Sequence, residues 1–286
     1  MHCIKNILLD GADGMPLLLD LFFEDANGSK PVVIYAHGFN GFKDWGNCDL
    51  VAEQFANAGF VFLKFNFSHN GTAPENPEEF SDLEAFGNNN YSIELRDLEQ
   101  ITNWVCDELN PYSAAMNIRE VYLTGHSMGG GISILYAAKD LRIKKLITWA
   151  AINECKTPWG NWPEHKIKEW KDTGVAYYIN TRTKQELPLY YQLHEDYIKN
   201  SERLDIKKAI QNLSIPILIC HGSLDTSVPV QKAIELKSWQ PFAEIFIIET
   251  DHGFGRSHPW TKEVVPAAMQ SIIDVSILFL NKPASK

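Results

Sequence analysis

The sequence predicts an α/β protein built on a mostly parallel sheet with helices on both faces. Short runs rich in β-branched or aromatic residues recur along the chain, and most are followed by a loop and a helical stretch. The 286 residues are 45% hydrophobic, enough for a sizeable core in one α/β domain carrying an insertion.

Before residue 30, an apolar run near Ile7 to Leu9, a GADG turn and a second run near Leu17 to Phe23 read as an antiparallel hairpin. The strands that follow are Val32 to Ala36, Val61 to Phe67, Val121 to Thr124, Leu146 to Ala151, Ile217 to Cys220 and Ile245 to Ile248. The polar stretch GTAPENPEEFSDLEAFGNNN, Gly71 to Asn90, reads as a long surface loop. Leu98, Ile101, Val105 and Leu109 recur at spacings of three and four, which puts them on one helix face. The rhythm fails between Asn153 and Asn212, a stretch too long for a plain connection. Residues 153–212 are therefore expected to form a helical cap over the carboxyl edge of the sheet, with 1–152 and 213–286 forming the core.

Composition narrows the function. Thirty-six acidic residues against 26 basic ones give a net charge of -10, the wrong sign for general affinity to nucleic acid or an anionic membrane. A small-molecule substrate is the expected partner. The five cysteines are widely spaced without a C-x-x-C pair, so reduced, mostly core thiols are expected. No apolar run approaches the ~20 residues of a membrane helix. The opening MHCIKNILLDGADG lacks the features of a signal peptide, which makes a cytoplasmic location the expectation.

The chemistry gathers just past the predicted strands, where active sites of such sheets lie. In LTGHSMGGG, Gly125, Ser127 and Gly129 match G-x-S-x-G, a strained turn that pushes a serine hydroxyl out of the backbone. A serine hydroxyl needs a base within hydrogen-bond reach, and the base needs a third group to fix its tautomer. His252, in the loop after the last strand, and Asp225 in HGSLDTSVP supply them in the order serine, acid, histidine. Asp251 is a rival acid, but neighbours on an extended segment point to opposite sides. The oxyanion of a tetrahedral intermediate needs fixed donors, and the backbone N–H groups of Met128 and Phe39 are placed to serve. His37, His126 and His221 also lie near strand ends, but no carboxylate pairs with them at ligand spacing, so no metal is expected. His69 in SHNGT either borders the substrate pocket or hydrogen-bonds within its loop. Trp159 and Trp162, in the aromatic cap, either line the acyl site or pack the cap.

These segments carry a family resemblance. VVIYAHGFNGFKDW, GFVFLKFNFSHNGT, VYLTGHSMGGGISILYAA, PILICHGSLDTSVP and DHGF, spread over residues 32–254, resemble the α/β-hydrolases, and among them the small bacterial serine esterases of the feruloyl/cinnamoyl esterase and dienelactone hydrolase-like type. The resemblance implies an eight-stranded sheet, no cofactor, a Ser127–His252–Asp225 triad, an oxyanion hole at Phe39 and Met128, and carboxylesterase activity. Dienelactone hydrolases proper carry cysteine and haloalkane dehalogenases aspartate where this chain has Ser127, which argues against both activities. SHNGT departs from the GHGDS-like segment of many such esterases, which bears on the pocket wall. Acyl transfer, thioester or peptide cleavage by the same triad are the alternatives, and a non-catalytic binding module lacks its expected signature, a missing triad member.

Overall fold

Alternation of side chains along the strands decides the layers. The structure, a computed structural model, describes residues 1–25 and 28–283. The strands in chain order are β1 (His2–Asp10), β2 (Pro16–Phe23), β3 (Lys30–Ala36), β4 (Val61–Asn66), β5 (Met116–His126), β6 (Ile143–Trp149), β7 (Val175–Ile179), β8 (Glu186–Tyr190), β9 (Ile217–Gly222) and β10 (Glu244–Ile248). The helices are α1 (Cys48–Asn57), α2 (Leu83–Asn88), α3 (Tyr91–Cys106), α4 (Met128–Ala137), α5 (Glu164–Thr173), α6 (Gln192–Lys199), α7 (Ile206–Gln211), α8 (Gln231–Trp239) and α9 (Ala267–Asn281).

Eight strands form one sheet in the order β1-β2-β4-β3-β5-β6-β9-β10. The first hairpin is antiparallel and β2 runs antiparallel to β4; every pairing from β4 through β10 is parallel. Val32, Ile34, Val121 and Leu123 face a core shared with α3, α4 and α7, while Val33, Tyr35, Tyr122 and Ile147 face α1 and α9. Both faces are thus covered, as the near-continuous apolar runs demand. Among the described residues no helix is long and apolar enough to cross a membrane. All five cysteines are free; Cys48, Cys155 and Cys220 are buried and Cys3 is exposed.

Three expectations need correction. The segment Gly71 to Asn90 contains α2, whose first turn is capped by Asp82 Oδ1 accepting from the Ala85 N–H at 2.9 Å. Helix α3 ends at Cys106, which leaves Leu109 beyond it and exposed. The stretch between β6 and β9 is not purely helical: β7 and β8 pair as an antiparallel hairpin, from Val175 opposite Tyr190 to Ile179 opposite Glu186. Pro188 inside β8 hides that strand, because proline in a short run argues against a ladder unless the strand is an edge, and both strands of a two-stranded sheet are edges.

A buried ion cluster fixes the loop after β3. Lys64 on β4 lies opposite Asp20 on β2, with Nζ 3.1 Å from Asp20 and 2.5 Å from Asp49, and also pairs with Asp44. Lys43 pairs with Asp20 at 2.8 Å and Asp44 at 2.5 Å, and its N–H donates to Asn66 Oδ1 at 2.6 Å. Burial pushes the Asp44 carboxyl up, but Lys64 and Lys43 outweigh it and hold it at about 2. Removing one member of such a cluster strands buried charge of the other sign. Lys64→Met is therefore expected to destabilise the fold by about 3–5 kcal/mol, read as a lower urea midpoint at unchanged slope. Since the Asp44 pKa is depressed on folding, its share of the stability is complete above about pH 4 and fades as pH falls toward about 2. A loss below about 1 kcal/mol would show that the cluster contributes little.

Candidate active site

Ser127 stands between β5 and α4 with φ 56° and ψ −119°, a left-handed backbone that a non-glycine residue adopts only under constraint. The motif's glycines do not carry the strain; neither Gly125 nor Gly129 has a positive φ. They allow close approach instead. A Cβ on Gly129 would overlap the carbonyls of Ala36 and His37 at the end of β3. The Ser127 N–H donates to the Trp149 carbonyl at 2.8 Å and its own carbonyl accepts from Ile152 at 3.2 Å, which ties the turn to the end of β6. On the other side, a Cβ on Gly38 would stand 2.9 Å from Ser127 Cβ, so the loop after β3 lies directly against the serine. Among the described residues, the backbone N–H groups of Phe39 and Met128 have no hydrogen-bond partner.

His252 Nδ1 donates to Asp225 Oδ2 at 2.7 Å, across the ends of β9 and β10. This fixes the tautomer and leaves the Nε2 lone pair free. Asp225 is held in turn: its Oδ1 accepts from the N–H groups of Ser227 at 2.9 Å and Val228 at 2.8 Å, and His221 Nε2 lies 3.3 Å from Oδ2. Burial pushes this carboxyl up, but the nearby His221 ring, the hydrogen bond and attraction of His252 and the Val228 N–H hold it well below the usual range. Ser127 Oγ makes no hydrogen bond to His252 in this structure, although both side chains line the same two cavities. Asp251 turns away, accepting from the Gly255 N–H at 2.8 Å.

The other histidines near strand ends serve as struts. His37 Nδ1 donates to the Gly38 carbonyl at 2.9 Å and Nε2 accepts from the Phe67 N–H at 3.3 Å, and burial lowers its pKa to about 4. His126 Nε2 donates to the His252 carbonyl at 3.0 Å; burial and repulsion from His252 and Arg256 keep it far below its ordinary value. His221 Nε2 donates to the Val228 carbonyl at 2.7 Å. Each ring braces a segment that carries a site residue.

Two cavities meet at Ser127 and His252. One, of about 460 Å³, is walled by Tyr35, Phe42 and Trp45 with Arg182, Arg256 and His258. The other, of about 360 Å³, is walled by Asn153, Lys156, Asn161, Tyr178, Pro229 and Lys232. Arg256 is buried, donates to the Gly253 carbonyl at 2.8 Å, lies over the Trp45 ring and has no carboxylate partner among the described residues. Tyr35, Phe42, Trp45 and Pro229 fall within the segments that carry the family resemblance, whereas Asn153, Lys156, Asn161, Tyr178, Arg182, Lys232, Arg256 and His258 are marked by neither motif nor spacing.

The three expected pocket residues line neither cavity. His69 borders a separate hollow beside Asp13, Asp82 and Asn90, because Ser68 draws the loop toward α3: Ser68 Oγ donates to Asp97 at 2.8 Å and accepts from His69 Nδ1 at 2.8 Å. Trp159 is buried among Tyr91, Trp170 and Tyr197, and Trp162 packs on Trp170 with Lys166 over its face. The aromatic residues here hold the insertion together.

A family profile described as alpha/beta hydrolase fold matches residues 31–197. No curated protein matches the chain. Solved structures similar to it include a protein from Agrobacterium vitis S4 (TM-score 0.72, 15% identity, 98% of each chain covered) and GrgF, an alpha/beta hydrolase from Penicillium sp. sh18 (TM-score 0.68, 21% identity, 98% of each). Est1E from Butyrivibrio proteoclasticus, solved with ferulic acid bound, is a third (TM-score 0.67, 17% identity, 96% of this chain and 97% of that one). At such identities the likeness is one of fold.

Strain at Ser127 has a measurable consequence. A left-handed non-glycine residue costs on the order of 1–3 kcal/mol, part of which glycine returns through its freer unfolded chain. Ser127→Gly is expected to stabilise the protein by about 1 kcal/mol, raising the thermal midpoint by roughly 2–4 °C. A lowered midpoint in calorimetry would mean that this backbone carries no strain.

Proposed function

The chain belongs to the α/β-hydrolase family, and we propose that within it this protein is a serine hydrolase that cleaves carboxylic esters through a Ser127–His252–Asp225 triad. The observation that carries the reading is the 2.7 Å hydrogen bond from His252 Nδ1 to a deeply ionised Asp225, with His252 and Ser127 lining the same cavities. With Nδ1 committed, Nε2 takes the Ser127 proton as Oγ attacks the ester carbonyl. Catalytic hydrogen bonds are commonly loose before substrate arrives and tighten in the complex, which accommodates the open Ser127–His252 pair. The negative charge that develops on the carbonyl oxygen meets the unpaired N–H groups of Phe39 and Met128. His252 then returns its proton to the leaving alcohol, the C–O bond breaks, and an acyl-Ser127 ester remains. Water, deprotonated by the same imidazole, attacks that ester and releases the acid.

Cavities on two sides of Ser127 suit an ester with a small or medium group on each side of the carbonyl. Est1E with bound ferulic acid makes hydroxycinnamate esters a sensible part of a substrate panel, beside p-nitrophenyl esters of graded acyl length.

Ser127→Ala is expected to lower kcat by roughly 10⁴-fold or more, since triad members act as a unit. A fluorophosphonate probe should label the wild type and not this variant. Near wild-type turnover by Ser127→Ala, or labelling of that variant, would exclude the mechanism.

A further inference from the structure

The loop that offers the Phe39 N–H is held from above by the insertion. Residues 38–41 form a tight turn, closed by the Gly41 N–H donating to the Gly38 carbonyl at 3.1 Å, with Asn40 at φ 55°. Beneath it, His37 braces the Gly38 carbonyl. Above it lies the tip of the β7–β8 hairpin. Asn180 there is buried, and its Oδ1 accepts from the N–H groups of Arg182 at 2.9 Å and Thr183 at 3.1 Å. Because two backbone donors occupy that oxygen, the Nδ2 end must face Asn40, whose Oδ1 accepts from it at 3.0 Å. The next residue down the hairpin's face, Tyr178, meets the Phe39 ring edge-on at 5.1 Å, with Phe86 of α2 at 5.7 Å on the same ring. The hairpin is itself anchored: Gln185 Nε2 donates to the Phe80 carbonyl at 2.8 Å, and Tyr190 packs so tightly on Gly87 that a Cβ there would be 2.8 Å from its ring.

We infer that Asn180 is a positioning residue for ester hydrolysis: through its hydrogen bond to Asn40 it fixes the Phe39 N–H as an oxyanion donor. This rests on the proposed triad mechanism. The insertion then contributes to the rate of the chemical step, in addition to walling the cavities. A donor that is displaced, though still present, loses part of what its deletion would lose, and deleting one oxyanion donor typically costs 10²–10³-fold in kcat.

The test compares Asn180→Ala, Asn40→Gly and the double variant on a p-nitrophenyl ester, with binding of a boronic acid that forms a tetrahedral adduct with serine as a second readout. Asn40→Gly deletes the acceptor while keeping a residue at home in the left-handed turn, so it carries the test if Asn180→Ala fails to fold. Each single variant is expected to lower kcat about 10-fold with KM within about 2-fold, to weaken boronate binding by a similar factor, and to show no further loss when combined. Unchanged kcat, a rise in KM alone, or additive losses would overturn the inference. Ser127→Ala run alongside separates the two levels. If it retains turnover, the triad mechanism itself is wrong; if it is inactive while the Asn180 and Asn40 variants turn over normally, only the positioning role fails.

Discussion

The site depends on three backbone segments pressing together around one residue in a costly conformation. Ser127 holds φ 56° because β6 accepts its N–H, α4 starts immediately after it, and Gly129 lets α4 settle on the carbonyls that end β3. The same requirement shapes the rest of α4. Gly130 and Gly131 follow Gly129, with Ala151 and Ile152 so close that a side chain on either would clash. Three consecutive glycines in a helix cost about 1 kcal/mol each relative to alanine. That cost is offset because the helix is wholly buried: every residue from Met128 to Ala137 lies in the interior. Helix stability here comes from packing, and intrinsic propensity is overridden.

Charge is distributed around this frame with the same economy. Asp225 is a buried anion supported by two backbone N–H groups and two imidazoles. His37 and His126 are kept uncharged by burial, and that neutrality is structural. A protonated His37 could no longer accept from the Phe67 N–H, and the strut beneath the turn at residues 38–41 would fail. The ion cluster around Lys64 secures the far end of the same loop at Lys43 and Asp44. From His37 to Asp44, the loop is thus fastened at both ends, by a histidine and by an ion cluster.

Much of this was legible in the sequence for a physical reason. A strand buried on both faces must be nearly all apolar, so runs such as Val32 to Ala36 announce themselves, while the partly exposed edge strands β1 and β10 show only shorter apolar runs. Residues at their carboxyl ends are then neighbours whatever their separation in the chain, which is why Asp225 and His252, 27 residues apart, meet. Where one face or edge is open, the signal weakens. The hairpin β7–β8 has exposed positions on both strands and a proline in one, so neither strand stands out in the sequence. Leu109 matched the helical period of α3, yet the helix had already ended three residues earlier.

The pocket was illegible for a different reason, and Trp159 and Trp162 illustrate it. An insertion must bury its own surface to hold a fixed shape, and a short one has few residues with which to do so. Its largest side chains are drawn inward: Trp159, Trp162 and Tyr191 each pack on Trp170, and Trp170 Nε1 donates to the Leu189 carbonyl at 2.7 Å. Tyr178 of β7 apart, what remains to face the cavities is mostly polar loop, including Asn153, Asn161 and Arg182. Such residues have no periodicity and no motif, because a loop that lines a cleft is constrained by its few contacts and not by a repeating lattice. Aromatic richness in an insertion is therefore a guide to how it coheres. Substrate preference has to be sought in the loops that this cohesion leaves exposed.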